Sequence, residues 1–194
     1  AYKFVQDGNP AFIESNLIAS QLANLKINLI IFVNSSGKVV FGVGYDDKLG
    51  KQTPIPTTLK AHLNQRDRLL NHPSPSSGLT GIISLPEGPM LLISRPILNS
   101  EGQGPIRGTL IVGRYLNAQE EARFAKLNRV PVFFQAANQT TIPAGLIPST
   151  PDTQSNRTIV VQPLNQETIA GYALLQDIYG KPAFLIRIEN ARTI

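Results

Sequence analysis

Apolar positions along this chain follow two rhythms, and the changes between them mark out its elements. Phe12, Ile13, Leu17, Ile18, Leu22 and Leu25 recur at helical spacing, which predicts one amphipathic helix over about 10–25. Asn9-Pro10 supplies its start, an Asn N-cap followed by Pro at the first helical position. The rhythm then breaks. Leu29-Ile-Ile-Phe-Val33 is an unbroken run of branched and aromatic residues, as in a buried strand, and Asn34-Ser-Ser-Gly37 is a turn. Residues 38–45 return as the partner strand of a hairpin. Pro54 and Pro56 open a second predicted helix over 56–70, with Leu59, Leu63 and Leu70 inward, and 72–78 (HPSPSSG) is a loop.

Two further strands follow over 79–85 and 89–98, and a Gly-rich loop over 99–105 leads into 106–116, IRGTLIVGRYL. In that stretch Leu110, Ile111 and Val112 are apolar on consecutive positions, so both faces are expected to be covered. It is the strand around which the rest is organised. Asn117, with Glu120 three residues on, resembles a capping box and starts a helix of about ten residues. A strand over 130–135 comes next, then a Pro/Thr/Asn/Ser-rich excursion over 136–157, and strands over 158–164, 168–176 and 183–189. The element order is helix, two strands, helix, three strands, helix, four strands, which belongs to the α+β class. The expected architecture is a PAS-like five-stranded antiparallel sheet with flanking helices over 1–128. A smaller, mainly antiparallel β unit is expected over 129–194.

Composition narrows the chemistry. The 194 residues contain no Cys, which removes thiolate nucleophiles, disulfides and thiolate metal sites. The net charge of +5 raises the question of nucleic acid, but the 18 Lys and Arg are scattered and lack interleaved aromatics or a nucleic-acid motif. No nucleic-acid partner is expected. No apolar run reaches the roughly 18–20 residues that span a bilayer. The abrupt start at AYKFVQDG and end at IENARTI read as a piece of a longer protein.

Motifs of catalysis are missing. There is no G-x-S-x-G elbow, and Gly102-x-Gly104-x-x-x-Gly108 has the wrong spacing for a dinucleotide site and leads into a strand. Asp46-Asp47 reads as a hydrated turn, since no further acidic ligands follow at regular spacing. His62 and His72, the only histidines, lie ten apart across a helix end, which is no metal-ligand spacing. No catalytic residue, metal or cofactor is expected. What remains are polar residues set in apolar strands. Arg95 interrupts one strand, and Arg114 interrupts the organising strand beside Tyr115. Each arginine is paired, reaches water, or faces a polar cavity suited to a small anionic ligand, because guanidinium grips carboxylates bidentately. Tyr45, at the exit of the first hairpin, and His62, on a helix face, carry the same ambiguity. The candidate ligand-binding set is therefore Tyr45, His62, Arg95, Arg114 and Tyr115, with a structural role as the alternative for each.

Several stretches together resemble a known family. These are Tyr2-Lys-Phe4, Asn9-Pro-x-Phe12-Ile-x-x-Asn16-Leu17, Leu25-x-x-Asn28, Phe32-Val33-x-x-x-Gly37-x-Val39-Val40-Phe41, and Gly108-Thr-Leu-x-Val112-Gly113-Arg114-Tyr115-Leu116. In order and spacing they resemble the fourth class of CHASE domains, the cyclase/histidine-kinase-associated sensory extracellular domains, and the match weakens after about residue 130. The resemblance implies a Cache-like, PAS-related fold. It also implies an extracytoplasmic input module of a prokaryotic membrane receptor, bracketed by two transmembrane helices and feeding a histidine kinase or a diguanylate cyclase. It carries over no binding residue.

Three function classes follow. The first is a sensor that binds a small ligand, anionic if the arginines line its pocket, and relays a conformational change to the membrane. The second is an interaction or homodimerisation module without a small-molecule ligand, which an exposed apolar face would favour. The third is an enzyme, which would need His62 in a polar cleft with a carboxylate in hydrogen-bond reach.

Overall fold

The computed structural model describes residues 1–17, 19–64, 66–146 and 159–192. The chain divides into two compact units, residues 1–81 with 91–114, and residues 82–90 with 115–194. The class is α+β, with a six-stranded and a four-stranded sheet among the described residues.

Unit 1 begins with three short helices, α1 (Phe4–Asp7), α2 (Pro10–Asn16) and α3 (Ala19–Asn24). Asn9 caps α2 as expected, its side chain accepting from the Ala11 N–H at 3.0 Å with Pro10 at the first position. The helix expected over 10–25 is broken at Leu17, whose backbone (φ −131°, ψ 34°) leaves the helical region. Asn16 turns its amide back onto the Phe12 carbonyl at 2.9 Å, a local bond that competes with continuation of the helix. The break still lets Leu17 and Leu22 both reach the core. Lys26, with φ 54°, then closes α3 in a Schellman arrangement: Ile27 N–H donates to Leu22 O and Lys26 N–H to Ala23 O.

The large sheet contains β1 (Leu29–Asn34), β2 (Val39–Asp46), β3 (Lys51–Thr53), β4 (Leu79–Leu85), β5 (Gly88–Pro96) and β6 (Gly108–Tyr115), in the order β3-β2-β1-β6-β5-β4. The five expected strands are present, and β3 adds a sixth, pairing antiparallel with the end of β2. The organising strand lies at the centre, where β6 pairs antiparallel with β1 and places Ile31 opposite Ile111. The Asn34 turn forms as its sequence implies, with the Asn34 side chain accepting from Ser36 and Lys38 N–H and Gly37 at φ 79°.

The three helices pack on one face of this sheet, through Phe4, Val5, Leu17 and Leu22 against Ile30, Phe32, Val43 and Ile97. Phe4 stacks on Phe12 at 4.6 Å and meets Phe32 edge-on at 5.3 Å; each such pair adds about 0.5–1.5 kcal/mol beyond area burial. Residues 54–78 contain a second departure from expectation. The helix expected over 56–70 is a single turn, α4 (Thr57–Lys60). Beyond it the amide N–H groups of His62 and Leu63 bond three residues back. Asn64 and Asp67 then take backbone N–H groups of Arg66 and Leu69 onto their own side chains, which ends the helical ladder.

Unit 2 holds α5 (Ala118–Asn128), β7 (Val132–Ala136), β8 (Ile159–Pro163), β9 (Thr168–Gln176) and β10 (Pro182–Ala191), the strands forming an antiparallel sheet ordered β7-β10-β9-β8. Asn117 caps α5 as its spacing implies, accepting from Gln119 and Glu120 N–H at 3.0 and 3.2 Å. The helix docks on the sheet through Phe124 against Phe134 at 5.5 Å. The opposite face packs Tyr172, Leu185 and Ala170 with Leu146. Of the expected excursion over 136–157, a 3₁₀ turn (Ala137–Gln139) and the residues to Leu146 are described, and the remainder lies outside the described residues.

Candidate functional site

Strand alternation gives the six-stranded sheet two different faces. Ile30 and Phe32 point to the helices, so Leu29, Ile31 and Val33 point to the other side. There Gly42 lies opposite Ile31, and a Cβ on Gly42 would run into the Ile55 side chain. Glycine at this position lets residues 54–78 approach the sheet. Leu59 and Leu69 from this cover segment are fully buried.

The cover segment is fastened by one buried hydroxyl. Ser94 on β5 has 0% exposure; its Oγ donates to the Leu69 carbonyl and lies 3.0 Å from His72 Nε2. A hydroxyl has a single proton, and Ser94 gives it to Leu69, so Nε2–H of His72 must be the donor to Ser94. This fixes the neutral tautomer, with the lone pair on Nδ1, an atom that is buried and has no hydrogen-bond partner among the described residues. Burial, and secondarily the Arg95 guanidinium, push the His72 pKa below its ordinary value. His72 and Ser94 were not among the sequence candidates. The signal available was a serine at the end of the apolar run Met90-Leu-Leu-Ile, a position where a polar group needs a partner.

The five sequence candidates fall in several places. Arg114 follows Leu110 and Val112 on the helix-packed face. Its Nε donates to the Lys26 carbonyl and its Nη2 to the Leu25 carbonyl at 2.9 Å, both just past the end of α3. Carbonyls there lack helical partners and carry the negative end of the helix dipole, so a cation is well placed. Tyr45 packs against the same core. Continuing the strand register by one residue puts Tyr45, Asn28 and Arg114 in one row, with Asn28 in the middle. Asn28 is buried, and its amide donates to Tyr45 O at 3.2 Å and to Asp47 Oδ2 at 2.7 Å. The structure thus sets Tyr45 and Arg114 two strands apart in one row, with Asn28 between them. His62 lies on the cover segment, with Nδ1 3.5 Å from Asp67 Oδ2. Arg95 is exposed beside Leu91 and Ile93, its side chain lying against Gly78 at the end of the cover segment. Tyr115 belongs to unit 2, where burial first and Glu87 second push its phenol up to about 12.

A separate cleft of about 610 Å³ opens beside the first helix, between Tyr2, Lys3, Asp7 and Asn9 on one side and Leu98 and Asn99 on the other. None of the five candidates lines it. Among the described residues no group of three His, Asp or Glu comes together as a metal site, and no helix is long and apolar enough to cross a membrane.

A large central sheet with short helices on one face and an irregular cover on the other is a PAS-like architecture. The CHASE4 domain family matches residues 1–135, and the chain belongs to that family. It is 32% identical over 191 residues to the methanogenesis regulatory histidine kinase FilI of Methanothrix harundinacea (strain 6Ac), covering 98% of this chain and 21% of that protein. Two solved structures share the fold at 13% identity and a TM-score of 0.51, each matching 98% of this chain. One is the extracellular domain of a histidine kinase candidate, vpHK1S-Z8, of which 80% is covered. The other is a domain assigned to a sensory box/GGDEF family protein from Vibrio parahaemolyticus, of which 83% is covered.

Proposed function

We propose that this CHASE4 domain is the extracytoplasmic input module of a prokaryotic transmembrane receptor, a histidine kinase or a diguanylate cyclase. In this reading it binds a small anionic molecule and relays the change through its terminal segments to the membrane. The family match over 1–135 carries the reading, and the kinase relative FilI supports the first output class. The chain spans about a fifth of that relative, so the output is part of the proposal.

Two of the candidates are open to a ligand in unit 1. Arg95, exposed beside Leu91 and Ile93 on the face of β5 away from Ser94 and lying against Gly78, offers a guanidinium to a carboxylate, and His62 on the cover segment is the second. Arg114, Tyr45 and the added Asn28 connect the central strands to the end of α3 and serve the relay. A ligand shifts such a domain only by binding one arrangement more tightly than another. A thermal-shift screen of organic anions tests this: hits are expected with the unmodified chain and lost in Arg95→Ala. Hits of unchanged size in both Arg95→Ala and Arg114→Ala overturn the anionic pocket.

A second reading, homodimerisation, has its own support in unit 2. Ile159 and Val161 on the edge strand β8 are 66% and 63% exposed, and Ile188 on β10 is 42% exposed. Gly171 lies between Val161 and Ile188 in one row, with open space where a Cβ would stand. This strip carries no ionisable side chain, so a second copy meets it without like-charge repulsion. Sedimentation of Val161→Asp against the unmodified chain decides it; an unmodified chain that stays monomeric at high concentration overturns the reading.

A further inference from the structure

We infer that unit 1 senses protons as well as its ligand: protonation of His72 releases the cover segment from the central sheet. Residues Leu69 and His72 both tie the segment to the single Oγ of Ser94. In the closed arrangement the imidazole is neutral, its Nε2–H is given to Ser94, and its Nδ1 is enclosed without a hydrogen-bond partner among the described residues.

A second proton can go only to Nδ1. There it would be a buried N–H without an acceptor, on a cation that already feels the Arg95 guanidinium from β5. The other ionisable side chains of its own segment are Lys60, His62, Arg66, Asp67 and Arg68. Of these Asp67, the carboxylate, is turned to His62 at 3.5 Å and accepts from Leu69 N–H. When the segment lifts, both ring nitrogens reach water and the imidazolium is solvated. The proton therefore binds the lifted arrangement better than the closed one, which is the differential affinity a switch requires. Histidine is the residue type that titrates in the range where such a switch operates.

The sign follows from linkage. Closed-state stability is full above the ordinary histidine value of roughly 6.5, and falls as pH drops below it, because the lifted form then binds more protons. The test is amide hydrogen exchange on the isolated 194-residue chain at about pH 7.5 and about pH 5, corrected for intrinsic rates, together with nitrogen NMR of the imidazole rings. Protection at Leu69, Leu70 and Ser77 is expected to fall by about threefold or more on acidification, with Ile31 and Val112 in the central strands unchanged. His72→Gln, whose carboxamide can still donate to Ser94 but does not titrate, is expected to remove the pH dependence. His62→Gln is expected to retain it. Unchanged protection in the unmodified chain, or an undiminished pH response in His72→Gln, overturns the inference. If His72→Gln does not fold, the ring spectra of the unmodified chain decide: an Nε2–H tautomer titrating below 6.5 supports it, and an Nδ1–H tautomer or an ordinary titration overturns it.

Discussion

Arg114, in the centre of the sheet, donates from Nε to the carbonyl of Lys26, a residue held in the left-handed region at φ 54°. The second donor, Nη2, takes the Leu25 carbonyl at 2.9 Å. A side chain on β6 thus completes the end of α3. Arg114→Ala is expected to cost about 1–2 kcal/mol in a denaturant titration, the lower part of the range for charge-assisted bonds because the contact is exposed. Arg114→Lys should recover only part of it, since one ammonium does not reproduce a two-donor fork.

The partner in this contact gives a stabilising prediction. Lys26 is exposed and occupies a backbone region that costs a non-glycine residue about 1 kcal/mol. Lys26→Gly is expected to raise the melting temperature, by about 0.5–1 kcal/mol of stability, provided the Schellman bonds persist. An unchanged or lowered melting temperature contradicts this account of the α3 end.

Gly108 gives the opposite sign. A Cβ there would strike the Val33 carbonyl oxygen and lie 2.9 Å from Asn34 Cα, in backbone that cannot yield without spreading β1 from β6. Gly108→Ala is expected to cost about 3 kcal/mol, seen as a shift of the unfolding midpoint. Gly42→Ala should cost less, because the obstacle is the flexible end of Ile55.

Ser94→Ala removes the acceptor for His72 and the donor to Leu69, leaving buried groups without partners. The expected loss is about 1–3 kcal/mol, measured by chemical denaturation at neutral pH.

Tyr115 sets an alkaline limit. Its phenol titrates at about 12 in the folded chain, against roughly 10 unfolded, so its contribution is full below pH of about 10 and is lost as pH climbs towards 12. Ultraviolet titration should show the phenolate signal of one tyrosine delayed, and Tyr115→Phe should abolish that delayed step.

The strands were legible because their signals are local. The run 29–33, the Asn34 turn and the consecutive Leu110, Ile111 and Val112 state burial and reversal directly, and these elements stand where the pattern puts them. The helices were harder. Apolar spacing over 10–25 and 56–70 suits a helix, but the spacing cannot register that Asn16, Asn64 and Asp67 bond their own backbone and end it. The arginines could be named but not assigned, since the partners of Arg114 lie 88 and 89 residues away along the chain. His72 reads as an ordinary loop residue until Ser94, 22 positions later, is brought against it.

Because Leu69 and His72 meet on one oxygen, they cannot let go one after the other at independent cost. Turning the Ser94 hydroxyl away frees both at once, so departure of this stretch is concerted, like drawing a single pin instead of opening a zipper.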